Sequence, residues 1–149
     1  MKKLIACAVV AMVLGALGQA QCNTRVGDYL KQSGYTFKPD KTCKYWINQD
    51  ALVIPHQGLQ GSILVADESG ILVIGAVVRL KANLEPSTAN LTKLLKLNHE
   101  LDNIKTGIDN DGDLFVRSDI PPKWIDAELI KTALKDVING ASKAYEATR

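Results

Sequence analysis

Asp109-Asn110-Asp111-Gly112-Asp113 places three carboxylates at alternate positions, a pattern from which a loop could gather oxygen ligands around a hard cation. A calcium-binding EF-hand loop continues with Gly at its sixth position and Glu at its twelfth. Those positions are Leu114 and Ile120, so the run reads as a turn. Asp-Gly readily takes the positive φ angles of a type I′ hairpin, which gives Asp111 and Gly112 a structural role and leaves Asp109 and Asp113 flanking it in solvent. Nucleophilic catalysis would draw on Ser62, Ser69, Ser87 or Ser118 with His56 or His99 as base, yet no serine sits in a G-x-S-x-G elbow. The two histidines lack H-x-x-x-H spacing, and the cysteines lack clustered third and fourth ligands for zinc. Carbohydrate clefts are usually aromatic-lined, whereas this chain is 5% aromatic. Trp46 reads as core or half-buried packing, and Trp124 as a ring that packs back on a sheet. The residues assign no catalytic group, metal or cofactor, and the chain reads as a non-enzyme.

The N-terminus reads MKKLIACAVVAMVLGALGQAQ. Lys2 and Lys3 precede an uncharged apolar run from Leu4 to Leu17, and Gly18-Gln19-Ala20 offers small residues at the −3 and −1 positions of a cleavage site. Residues 1–20 therefore read as a secretory signal peptide and residues 21–149 as one mature domain, periplasmic or secreted. The apolar run is shorter than the roughly 20 residues a span needs, and no later stretch replaces it. Of the 18 Lys and Arg, the two in the leader account for the whole excess over the 16 Asp and Glu. The mature part is formally neutral and carries no basic, aromatic-interleaved run, so nucleic acid is not an expected partner. It keeps Cys22 and Cys43, which are expected to form a disulfide in an oxidising compartment.

The elements follow from periodicity. Thr24 to Ser33 reads as a first helix stopped by Gly34. Strand patterns follow at Cys43 to Asn48, Ala51 to His56, Ser62 to Asp67 and Ile71 to Lys81, with Ile71-Leu72-Val73-Ile74 expected to be buried on both faces. A second helix opens at Pro86-Ser87-Thr88 and runs to about Leu101. Leu91, Leu94, Leu95 and Leu101 are expected on its apolar stripe, with Asn98 among them tying the helix end to a strand. Strands at Asn103 to Asp109 and Asp113 to Asp119 flank the Asp-Gly turn. Pro121-Pro122 leads into a last helix from about Lys123 to Ala144, with Asp126 and Glu128 near its positive end. The fold class is α+β, a single domain whose antiparallel sheet and three helices follow the order α-β-β-β-α-β-β-α.

Three strings then stand together: Tyr29-Leu30-Lys31-Gln32-Ser33-Gly34-Tyr35, Leu94-Leu95-Lys96-Leu97-Asn98-His99-Glu100-Leu101 and Ile108-Asp109-Asn110-Asp111-Gly112-Asp113-Leu114. With the element order they resemble the bacterial YbjN family of proposed sensory transduction regulators and its relatives, the type III secretion chaperones, over about Thr24 to Tyr145. The resemblance implies three helices around a curved antiparallel sheet and, from the chaperones, homodimers that hold an extended client segment. It supplies no catalytic residue. The expected function is an exported, chaperone-like binding module for a protein or peptide partner in the cell envelope. A small exported hydrolase and a small-ligand sensor stay open as alternatives.

Overall fold

A computed structural model of the chain describes residues 24–47, 63–68, 70–85 and 87–149. The leader, Cys22, the expected strand Ala51 to His56, Ser62 and Ser69 lie outside the described residues. In chain order the elements are α1 (Thr24–Gln32), β1 (Phe37–Pro39), β2 (Tyr45–Ile47), β3 (Ile63–Glu68), β4 (Ile71–Arg79), α2 (Thr88–Glu100), β5 (Lys105–Ile108), β6 (Leu114–Ile120) and α3 (Ala127–Ala147).

The local chemistry sets most boundaries. Val26 and Leu30, one helical turn apart, bury the inner side of α1, and Gly34 ends it at φ 82, a conformation that costs glycine nothing. The strand expected from Cys43 begins at Tyr45, because Cys43 sits at φ 62 inside a turn organised by Asp40. Asp40 Oδ1 accepts from the backbone N–H of Thr42 and Lys44 and from the Thr42 hydroxyl, at 2.7, 3.1 and 2.7 Å. The partner strand β1 has only three residues, too few to show a period. The last helix starts later than Lys123: Pro122–Trp124 makes a single 3₁₀ turn, and Asp126 then caps α3 by accepting from Leu129 N at 2.7 Å.

All strand pairs are antiparallel, in the order β1-β2-β3-β4-β6-β5. The helices cover one face: α3 packs on β4 and β6, α1 on α3, and α2 on α3 and β5. Between them and the sheet lie Ile47, Ile63, Val65, Leu72, Ile74, Val78, Leu114 and Val116 from the strands and Leu134 and Val137 from α3, essentially without exposure. Each contributes roughly 1.5–3 kcal/mol of apolar transfer. Gly140 lets α3 sit close to the sheet, since a Cβ there would stand 3.0 Å from Val116 Cγ1 and 3.1 Å from Ile104 Cγ2.

Two apolar expectations are corrected. In Ile71-Leu72-Val73-Ile74 only Leu72 and Ile74 enter the core, because β4 alternates and its other face has no helix over it among the described residues. On α2 the buried residues are Leu94 and Leu97, with Leu101 partly buried beyond them. Leu91 is exposed and Leu95 is 70% exposed. Leu95 stands about 100° around the helix from Leu94, outside the stripe that faces the sheet.

Candidate binding face

The face of the sheet that no described helix covers is built by the outward half of each strand's alternation. Cross-strand register sets Trp46, Leu64, Gly75, Arg117 and Lys105 in one row running from β2 to β5, with Val77, Phe115 and Gly107 in a row beside it. Together with Val73 and Leu80, the apolar members floor a concave cavity of about 1080 Å³ whose charged lining is Lys44, Glu68, Asp109, Asp111 and Arg117. The two glycines shape that floor. A Cβ on Gly107 would stand 2.9 Å from the Phe115 ring, and one on Gly75 would stand 3.0 Å from Arg117 Cβ. The bare backbone lets both neighbouring side chains lie flat across the sheet.

Charge on the face is mostly held in place. Lys105 Nζ lies 2.6 Å from Asp119 Oδ2, and Arg117 reaches the same carboxylate, its Nη2 donating at 3.3 Å. Arg117 Nε is 3.2 Å from Asp119 Oδ1 but aimed off the hydrogen-bond line, so this contact is an ion pair only. The guanidinium also lies 5.6 Å from the Phe115 ring centroid. At the β2 side Lys44 pairs with Glu68 at 3.9 Å. Trp46, 40% exposed, anchors its ring by donating Nε1–H to Asp40 Oδ2 at 3.1 Å. The Thr42 hydroxyl, followed by the Trp46 ring N–H and the backbone N–H groups of Lys44 and Thr42, holds the Asp40 carboxyl at about 2 against a usual 3.8, while desolvation acts in the opposite direction.

The turn at Asp109–Asp113 differs from the expected type I′. Only Gly112 has positive φ, at 89°, and Asp111 does not. Gly112 N donates to Asp109 O at 3.1 Å and Asp109 N to Asp113 O at 3.0 Å, a three-residue loop closed by a left-handed glycine. The flanking carboxylates also do more than face water. Asp109 Oδ1 accepts from Asp111 N and Asp113 N at 3.0 and 2.8 Å, and Asp113 Oδ1 accepts from Lys81 N at 2.7 Å. Among the described residues no group of three or more His, Cys, Asp and Glu is placed to hold a metal.

Asn98 joins α2 to the edge strand β5. Its Nδ2 donates to Thr106 O at 3.0 Å and its Oδ1 accepts from Thr106 N at 2.6 Å. One side-chain amide thus occupies both outward backbone groups of that residue. The serine and histidine candidates are not brought together among the described residues. Ser87 caps α2 by accepting from Asn90 N at 3.1 Å, Ser118 is buried on the helix side of β6, and His99 is exposed on α2. Trp124, expected on the sheet, is 60% exposed, with Lys123 Nζ 4.8 Å from its ring centroid. Cys43 is described and partly buried, while its expected partner is not described. What sequence reasoning missed was the bare face itself. Its only signal was the alternation of Phe115, Arg117 and Asp119 with Leu114, Val116 and Ile120 along β6.

This arrangement of helices on one side of a six-stranded sheet has solved counterparts. A chain in the heterodimeric ExoU–SpcU complex from the type III secretion system of Pseudomonas aeruginosa superposes with a TM-score of 0.55 at 16% identity, over 82% of this chain and 96% of that one. YbjN from E. coli gives 0.57 at 13%, over 81% and 89%. A chain in the HopA1–SchA chaperone–effector complex gives 0.58 at 12%, over 83% and 91%. The likeness is one of fold. No protein-family model and no curated protein matches the sequence.

Proposed function

We propose that this domain is a non-enzymatic, chaperone-like binding module that holds an extended, apolar segment of a client protein against the bare face of its sheet. The observation that carries this reading is the concave cavity floored by Trp46, Leu64, Val73, Val77 and Phe115, which no helix among the described residues covers. An apolar depression of this kind with a charged rim is suited to side chains of a second molecule. The shared fold adds support, since two of its solved counterparts are chains of two-protein complexes and one of these pairs a chaperone with an effector. The purified domain is expected to slow the aggregation of a reduced, unfolded model protein. Val77→Glu, a charge placed on the cavity floor, is expected to abolish the effect while the far-ultraviolet spectrum stays unchanged. Equal protection by wild type and variant would remove the face from the reading.

The same proposal places the protein outside the cytoplasm. Lys2-Lys3, the apolar run and Gly18-Gln19-Ala20 support cleavage before Gln21, and Cys22 with Cys43 support one disulfide in the mature chain. Intact-mass measurement of the protein from an envelope fraction checks both, because cleavage and loss of two thiol hydrogens each change the mass. Self-association is supported by Leu91 and Leu95, which leave an apolar strip exposed on α2. Sedimentation velocity of the wild type beside Leu95→Glu tests it.

A further inference from the structure

The concave face has unlike ends. Near β2 and β3 its charges are paired, Lys44 with Glu68, and in the middle Arg117 is paired with Asp119. At the β5–β6 hairpin the cavity is lined by Asp109 and Asp111, and neither takes part in an ion pair among the described residues. Asp109 spends one oxygen on the turn, and the Asp111 carboxylate accepts no hydrogen bond among the described residues. Lys81 is the near cation. Its stem packs at Gly112, where a Cβ would stand 2.8 Å from Lys81 Cδ, and its ammonium reaches neither carboxylate. The hairpin end therefore presents two carboxylates that no ion pair among the described residues engages, beside the exposed Leu80 and Val77.

The sheet edges restrict how a segment could lie there. Adding a strand requires successive outward N–H and C=O groups, two residues apart. Asp109 N donates to Asp113 O, so alternation turns Lys105 and Gly107 toward β6 and leaves Thr106 and Ile108 facing outward. Asn98 already occupies Thr106. At the other edge Asp40 N donates to Lys44 O, so Phe37 and Pro39 face outward, and Pro39 has no N–H to give. Among the described residues each edge offers one complete pair of backbone groups, too few for a ladder.

Building on the proposed client binding, we infer that the occupant is an extended apolar segment with a basic residue at the end that meets Asp109 and Asp111. It is held across the face by its side chains and not by strand addition. The test uses Trp124→Phe, which leaves Trp46, one of two tryptophans, as the only indole and places it at the cavity. Probes are short peptides of alternating leucine and threonine ending in two lysines or in two glutamates, with versions N-methylated at alternate residues. Lysine-ended peptides are expected to bind about fivefold tighter than glutamate-ended ones at low salt, the size of two rim ion pairs. The preference should shrink as salt is added. It should vanish in Asp109→Asn/Asp111→Asn, where the amide oxygen at position 109 still serves the turn, and N-methylation should leave affinity unchanged. A charge preference that is absent, or that survives the double substitution, overturns the inferred polarity. Loss of binding on N-methylation overturns the side-chain mode. Either result leaves the client-binding reading standing, whereas binding of no peptide overturns that reading as well.

Discussion

The two faces of one sheet differ in what they ask of each residue. Along β6, Leu114, Val116 and Ile120 are sealed beneath helices, while Phe115, Arg117 and Asp119, each one residue away, are half-buried on a face that no helix among the described residues covers. Stability is concentrated on the first face because burial and close packing scale with the water removed. The second keeps its apolar floor open, held only by ring contacts, a shared carboxylate and two glycines. A substitution that costs several kcal/mol on one side should cost almost nothing on the other and act instead on binding.

The sharpest way to break this contrast is Leu134→Ala. Leu134 is fully buried in α3, and its truncation is expected to cost about 2–5 kcal/mol in urea unfolding. A smaller loss would mean that α3 is loosely seated. Gly140→Ala probes the same contact by overpacking. With Val116 and Ile104 only 3.0 and 3.1 Å from the new Cβ, about 1–3 kcal/mol should be lost. At the margin between the faces, Asn98→Ala is expected to cost about 1–2 kcal/mol by freeing both outward groups of Thr106. Asn98→Asp, which keeps the acceptor and loses the donor, should cost less, and hydrogen exchange at the Thr106 amide separates the two.

On the open face the expected effects are smaller. Asp40 has a depressed pKa, so its contribution is complete above about 3.8 and disappears as pH falls toward about 2. Asp40→Asn should lower stability at neutral pH, flatten the acid limb in that window and converge with wild type toward about pH 2. Trp46 emission, read in Trp124→Phe, should shift with the same titration because its ring N–H donates to that carboxylate. Smallest is Val77→Ser, expected to stay within about 0.5 kcal/mol of wild type in stability while weakening peptide binding. A larger loss of stability would show that something in the chain covers this face.

Much of the helix-covered side was legible in the residues. Gly34 stops α1, Ser87 stands at the opening of α2 and Asp126 at that of α3, because start and stop signals are local properties. Asn98 reads as a buried tie from the helix to a strand; its amide does pair with Thr106, but the residue itself is exposed. Other features depended on what came to lie alongside. A three-residue strand has no period, so β1 exists only through its pairing with β2. Leu95 and Ile71 look like core residues until the directions of their helix and strand are fixed, and both are exposed. Asp-Gly specified a turn but not its type. That followed from the hydrogen bonds of Asp109 to the chain beyond it and from Lys81 packed over Gly112. The sequence by itself determined the order of the helices and of the longer strands, and the caps, all set by neighbours within a few positions. Only the tertiary structure decided that the helices would share one face, leaving the outward residues of β2, β3, β4 and β6 to form a cavity, because that depends on contacts between segments far apart in the chain.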